Sequence, residues 1–166
     1  MKRMMTIKIF FSLLFLVSAT TAQANSQKAV FDRSAFYAAM ASDMLSEINE
    51  QLIIVKGASI NEKEAYEGAL LMKKAGLVSK AKEKLSLFKA GRLKLEAAIK
   101  KESTNTEYYF LRLIIQENAP KIVKYRDELE SDSAAVRSNY KSLSPVVQKA
   151  IMEYSKKSKF LKLPQP

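Results

Sequence analysis

Apolar residues recur three and four apart along most of this chain, and short polar turns separate the runs. Tyr37, Ala41, Met44, Ile48, Gln51 and Val55 keep that spacing, while Asp43, Glu47 and Glu50 tend to the other side. The pattern predicts one amphipathic helix from Ser34 that stops near Gly57. Ser34 is its expected cap, because a serine hydroxyl accepts an amide left unpaired in the first turn. Phe36 and Met40 widen the stripe beyond what one buried face needs. They are therefore candidate binding residues, part of an exposed apolar patch on the first helix.

Further along, Asn61 and Glu64 have the form of a capping box. They open a helix with Ala65, Ala69 and Met72 on one edge, which Gly76 ends or bends. The next helix spans about Ser79 to Lys101, with Leu85, Phe88, Arg92, Leu95 and Ile99 along its face. Gly91 lies inside it and costs roughly 1 kcal/mol relative to Ala. It marks either a break near Lys89–Gly91 or a close crossing. Thr104 and Glu107 form a second possible capping box before EYYFLRLIIQ, residues 107–116. A helix apolar on nearly every side belongs in the centre of a fold.

Arg112 stands inside that apolar run. A buried charge is costly unless it is paired and hydrogen-bonded. Arg112 is either a satisfied internal partner or a ligand-binding group, and it is the third candidate binding residue. Pro120 then suits the first turn of another helix, with Ile122, Val123, Tyr125 and Leu129 as its apolar contacts. A short helix follows from Asp132 or Ser133. Ser144-Pro145 is a cap followed by proline at the first helical position, and it opens the last helix. The expected fold is all-α: a single compact domain of about six helices, packed as helical hairpins or an irregular bundle. Residues 25–33 and 161–166 are expected to be loose.

The first residues read differently. Lys2, Arg3 and Lys8 are followed by the apolar run Ile9–Val17 and then by Ala22-Gln23-Ala24. That order is the pattern of an export signal, cleaved after the small residue. The run is well short of the roughly 20 residues a membrane-spanning helix needs. Residues 1–24 are expected to be a signal peptide and residues 25–166 the mature domain, periplasmic or secreted.

Composition narrows the chemistry. The chain has no histidine and no cysteine. Histidine is the usual general base near neutral pH and the commonest metal ligand. Cysteine would be needed for a thiol nucleophile, a disulfide or a thiolate metal site. No Gly-rich phosphate loop is present. Glu62, Glu64 and Glu67 suit the positive end of a helix, and Glu128, Glu130 and Asp132 read as a solvated charge run. No catalytic residue, metal or cofactor is expected. A carboxylate-pair hydrolase, which needs only two acids across a cleft, is a distant alternative.

Charge points to partners. The formal net charge of +11 becomes +8 once Lys2, Arg3 and Lys8 leave with the leader. A basic surface favours anionic partners such as an envelope lipid or polymer. No nucleic-acid motif accompanies the charge. The leading expectation is an exported, noncatalytic helical protein that binds another protein or itself. The alternative is a basic protein held at an anionic envelope surface.

One stretch, LKLEAAIKKESTNTEYYFLR at residues 93–112, resembles the seam between two tetratricopeptide repeats. Leu95 and Ala98 stand at the closing positions of the second helix, Ser103 where proline is usual, and Tyr109 at the opening aromatic. Leu113 replaces the next small residue, and Val78-Ser79 replaces the Leu-Gly pair of a preceding repeat. The resemblance implies one helical-hairpin seam rather than a repeat array, which needs about three stacked units. It places Glu107, Phe110, Ile114 and Glu117 on the family's concave face, without the basic and amide residues that grip a peptide carboxylate. In overall layout the chain also looks like small exported proteins of the Bacteroidota, a likeness that implies no activity.

Overall fold

The helix expected to be apolar on nearly all sides runs Thr106–Asn118, and ten of its thirteen residues are buried. Leu111 and Leu113 are fully enclosed. The other helices pack around it. The computed structural model describes residues 30–163. It contains α1 (Arg33–Ala41), α2 (Leu45–Gly57), α3 (Lys63–Leu77), α4 (Ala81–Lys101), α5 (Thr106–Asn118), α6 (Leu129–Asn139) and α7 (Pro145–Ser155). Two single 3-10 turns, Lys121–Val123 and Tyr140–Ser142, complete the order. Among the described residues there is no strand, and the fold is one all-α domain of seven packed helices. The expected leader at residues 1–24 lies outside the described residues.

The seventh helix arises because the first amphipathic run is divided. The chain leaves the helix at Ser42, whose backbone is extended. The Ser42 hydroxyl accepts the Met44 amide at 3.0 Å, and Asp43 pairs with Lys73 of α3 at 2.9 Å. A side chain that hydrogen-bonds its own neighbouring backbone offers an alternative to the helix ladder. Hydrophobic spacing alone does not register this, because the stripe resumes in α2.

Several caps also shift. Asp32, not Ser34, caps α1: its carboxylate accepts the Ser34 amide at 2.9 Å. Phe31 stacks on Tyr66 with centroids 5.1 Å apart. The segment expected to be loose up to residue 33 is thus tied down from Phe31 onward. Helix α3 begins at Lys63 without a side-chain cap, and Gly76 lies inside its last turn. Asn105 caps α5 through the Glu107 amide at 3.1 Å. Ser144 and Pro145 start α7 at the expected place, but the Ser144 hydroxyl makes no capping hydrogen bond.

Pro120 opens only the 3-10 turn, which Lys124 closes in a left-handed conformation at φ 47°. Ile122 is not an apolar contact: it is 88% exposed. Tyr125 and Leu129 do enter the core, and α6 begins at Leu129 rather than at Asp132.

Helix α4 is continuous through Gly91, so the glycine marks a crossing, not a break. A methyl group placed on Gly91 would lie 2.5 Å from the Gly68 carbonyl oxygen and 2.7 Å from Met72 Cγ. One placed on Gly68 would lie 2.7 Å from the Gly91 carbonyl. The backbones of α3 and α4 therefore touch where neither residue has a side chain. Beyond the crossing, Leu95, Ala98 and Ile99 are buried. Before it, α4 has little cover, and residues 81–86 are exposed.

The C-terminal segment folds back on α5. The Glu117 carboxylate accepts hydrogen bonds from the Tyr154 hydroxyl at 2.9 Å, the Ser158 hydroxyl at 2.6 Å and the Lys159 amide at 2.5 Å. Leu161, expected in a loose tail, is fully buried.

Candidate ligand-binding cleft

Helices α1, α4 and α7 each carry a second stripe of small or apolar residues besides the one facing the core. On α1 it is Ser34, Ala38 and Ala41; on α4 it is Ala81, Leu85 and Phe88; on α7 it is Val146, Ala150 and Tyr154. The spacing of three or four keeps each set on one face. These faces do not close on one another. They surround a cleft of about 1270 Å³, which the last turn of α3, the C-terminal half of α5 and the Lys121–Val123 turn complete. Small-molecule pockets usually hold about 300–1,000 Å³, so this open cleft has room for a guest of that class.

The lining is mainly apolar. Phe110, Ile114 and Ile115 line it from α5, and Met40 and Met72 from α1 and α3. Leu85 is 50% exposed beside it, and Ile122 stands at its edge nearly bare.

Most polar side chains of the lining already have partners. The Tyr37 hydroxyl donates to Glu107 at 2.8 Å. The Asn118 amide donates to the Ile114 carbonyl at 2.8 Å and to the Tyr154 hydroxyl at 3.1 Å. Four lysines also line the cleft: Lys73, Lys84, Lys149 and Lys157. The two acids are Asp43, which Lys73 holds at 2.9 Å, and Glu153, which Lys156 holds at 2.7 Å. Lys84, Lys149 and Lys157 have no carboxylate within ion-pair distance among the described residues. Lys157 lies 5.6 Å from the centre of the Tyr154 ring, and after Lys73 it also helps hold the Asp43 carboxyl below its ordinary pKa.

The three sequence candidates fall in different places. Phe36 is fully enclosed, packed against Tyr66 with ring centroids 4.5 Å apart. It offers no surface, because the rings of Phe31, Tyr37 and Tyr66 pack around it. Met40 is also buried, but it lines the cleft. Arg112 is 8% exposed and internally committed. Its Nε and one terminal nitrogen donate to the two Asp132 oxygens, each at 2.7 Å, and the other terminal nitrogen donates to Glu96 at 3.0 Å. Burial works against the guanidinium charge, yet Asp132 and Glu96 outweigh it and hold the group above its ordinary pKa. Burial also lifts the Asp132 carboxyl, against the pull of Arg112. Arg112 joins α4, α5 and α6 and has no role in the cleft.

Sequence reading missed a second buried acid. Glu107 accepts hydrogen bonds from Tyr37 at 2.8 Å and Tyr66 at 2.7 Å, with Arg33 at 3.7 Å. Burial raises its pKa, and Tyr66, Arg33 and Tyr37 pull it back only in part. This network ties α1, α3 and α5 together. The cleft-lining alanines and lysines were missed as well. Alanine at helical spacing reads as core and lysine as solvated surface, so neither signals a cavity. Of the residues that the repeat resemblance put on a concave face, Phe110 and Ile114 line the cleft, while Glu107 and Glu117 are engaged internally.

Among the described residues, no cluster of three or more acids is placed to hold a metal ion, and no helix is long and apolar enough to cross a membrane. Compared with models of known families, with curated proteins and with solved structures, the chain matches none.

Proposed function

We propose that this is a binding protein, not an enzyme, and that its working site is the cleft bounded by α1, α4, α5 and α7. One observation carries the reading: among the described residues a large, mainly apolar cleft stays open in a domain that brings α3 and α4 to backbone contact elsewhere along their lengths. Apolar lining left uncovered forfeits about 25 cal/mol for each Å² that a guest would remove from water. Apart from the lysines at its rim, the main polar groups of the wall, on Tyr37, Asn118 and Tyr154, are spent on internal bonds and serve rigidity rather than chemistry. The binding surface expected on α1 is thereby moved from Phe36 to Ala38, Met40 and Ala41. The leader supports a place of action outside the cytoplasm.

Titration of the purified protein with an environment-sensitive apolar fluorophore tests the reading. Saturable binding is the expected result. Ala38→Trp and Ala150→Trp, which fill the cleft from α1 and from α7, should weaken it about tenfold or more, or ~1.4 kcal/mol, while the far-ultraviolet spectrum stays helical. The absence of saturable binding, or equal binding by both tryptophan variants, would refute it.

A further inference from the structure

We infer that the guest of the cleft is a monomeric single-chain anionic lipid, a long-chain fatty acid in its simplest form. Its chain would lie against Ala38, Phe110, Ile114 and Ala150, and its acid head would be held by Lys84 and Lys149. This rests on the binding role proposed above and adds the ligand's class.

Charge selects the occupant. The two acids of the lining are paired with Lys73 and Lys156, and Lys157 adds to the pull on Asp43, which leaves Lys84 and Lys149 beside an apolar space without carboxylate partners among the described residues. A strongly hydrated ammonium on a flexible stem can follow a mobile head group as a point charge. A second copy fits poorly, since each chain is itself strongly basic.

Hydrogen bonding selects the body of the guest. Tyr37, Asn118 and Tyr154 spend their polar groups inside the protein, so the wall offers few partners to a polar molecule. An alkyl chain asks for none, and each methylene it buries is gained from water. The bare Leu85 and Ile122 at the edge would be covered by the part of the chain nearest the head.

Displacement of the bound fluorophore provides the test, with palmitate, hexadecanol and an acidic amphipathic peptide as competitors. Palmitate should displace it at least about tenfold more strongly than hexadecanol. Lys84→Glu with Lys149→Glu should abolish that preference and leave hexadecanol unchanged. Lys100→Glu with Lys101→Glu, the same charge change at the far end of α4, should leave palmitate binding intact. Equal competition by palmitate and hexadecanol would overturn the inference while the apolar cleft reading stood. Stronger displacement by the peptide than by palmitate would also overturn it, in favour of a protein partner. If the fluorophore itself fails to bind, the underlying reading fails first. Palmitate binding that survives in the Lys84 and Lys149 variant would show that the acid head is not read there.

Discussion

Gly68 and Gly91 face each other where α3 crosses α4, so closely that a methyl group on either would meet the other's carbonyl oxygen at 2.5–2.7 Å. Main-chain atoms cannot swing aside as a side chain can. Gly91→Ala should therefore destabilise the protein by about 1–3 kcal/mol, although alanine favours an isolated helix by roughly 1 kcal/mol. Gly76→Ala is the internal control, because nothing lies within 4 Å of its added methyl. It should be neutral or stabilising. Urea melts measure both. An unchanged or raised midpoint for Gly91→Ala would mean that the two helices slide apart freely.

Arg112 and Asp132 form a bidentate pair in the core. Arg112→Met should cost about 3–5 kcal/mol, because it strands a buried carboxylate. The double variant Arg112→Met, Asp132→Leu should recover a substantial part of that loss. Equal stability of the single and double variants would mean that Asp132 is not penalised when its partner leaves.

Glu107 supplies a pH signature. Its folded pKa is raised above the unfolded value. Its contribution is therefore fully present below the unfolded pKa, about 4.3, and is lost as pH rises through the folded pKa. Glu107→Gln keeps an acceptor for Tyr37 and Tyr66 without titrating. The stability of the variant minus that of the parent should thus rise as pH increases from about 4 into the neutral range. Chemical denaturation at several pH values gives this difference directly. A difference that falls with pH would mean that Arg33 dominates over burial.

Export is tested by N-terminal sequencing of protein recovered from the expressing cell. The mature chain should begin at Asn25 or within a few residues of it. An intact Met1 on the folded protein would remove the export expectation and leave the cleft untouched.

Local pattern settled much of this protein by itself. Hydrophobic spacing identified an all-helical domain, and the nearly uniform apolarity of residues 107–116 marked the central helix. Gly91 was legible as an anomaly, because glycine inside a helix needs a reason. Its reason lay elsewhere: only the packed structure brings Gly68 opposite it. The break at Ser42 was hidden by an apolar stripe that runs on past it, since periodicity records faces and not continuity. Phe36 looked surplus on one helix, yet three aromatic residues from two parts of the chain converge to enclose it. The cleft was out of reach for a related reason. Ala38, Leu85, Ile122 and Ala150 are unremarkable within their own segments, and an uncovered face exists only relative to helices that fail to cover it. Sequence carries each helix's preferences over a turn or two, whereas a cavity is a property of how four helices are held apart.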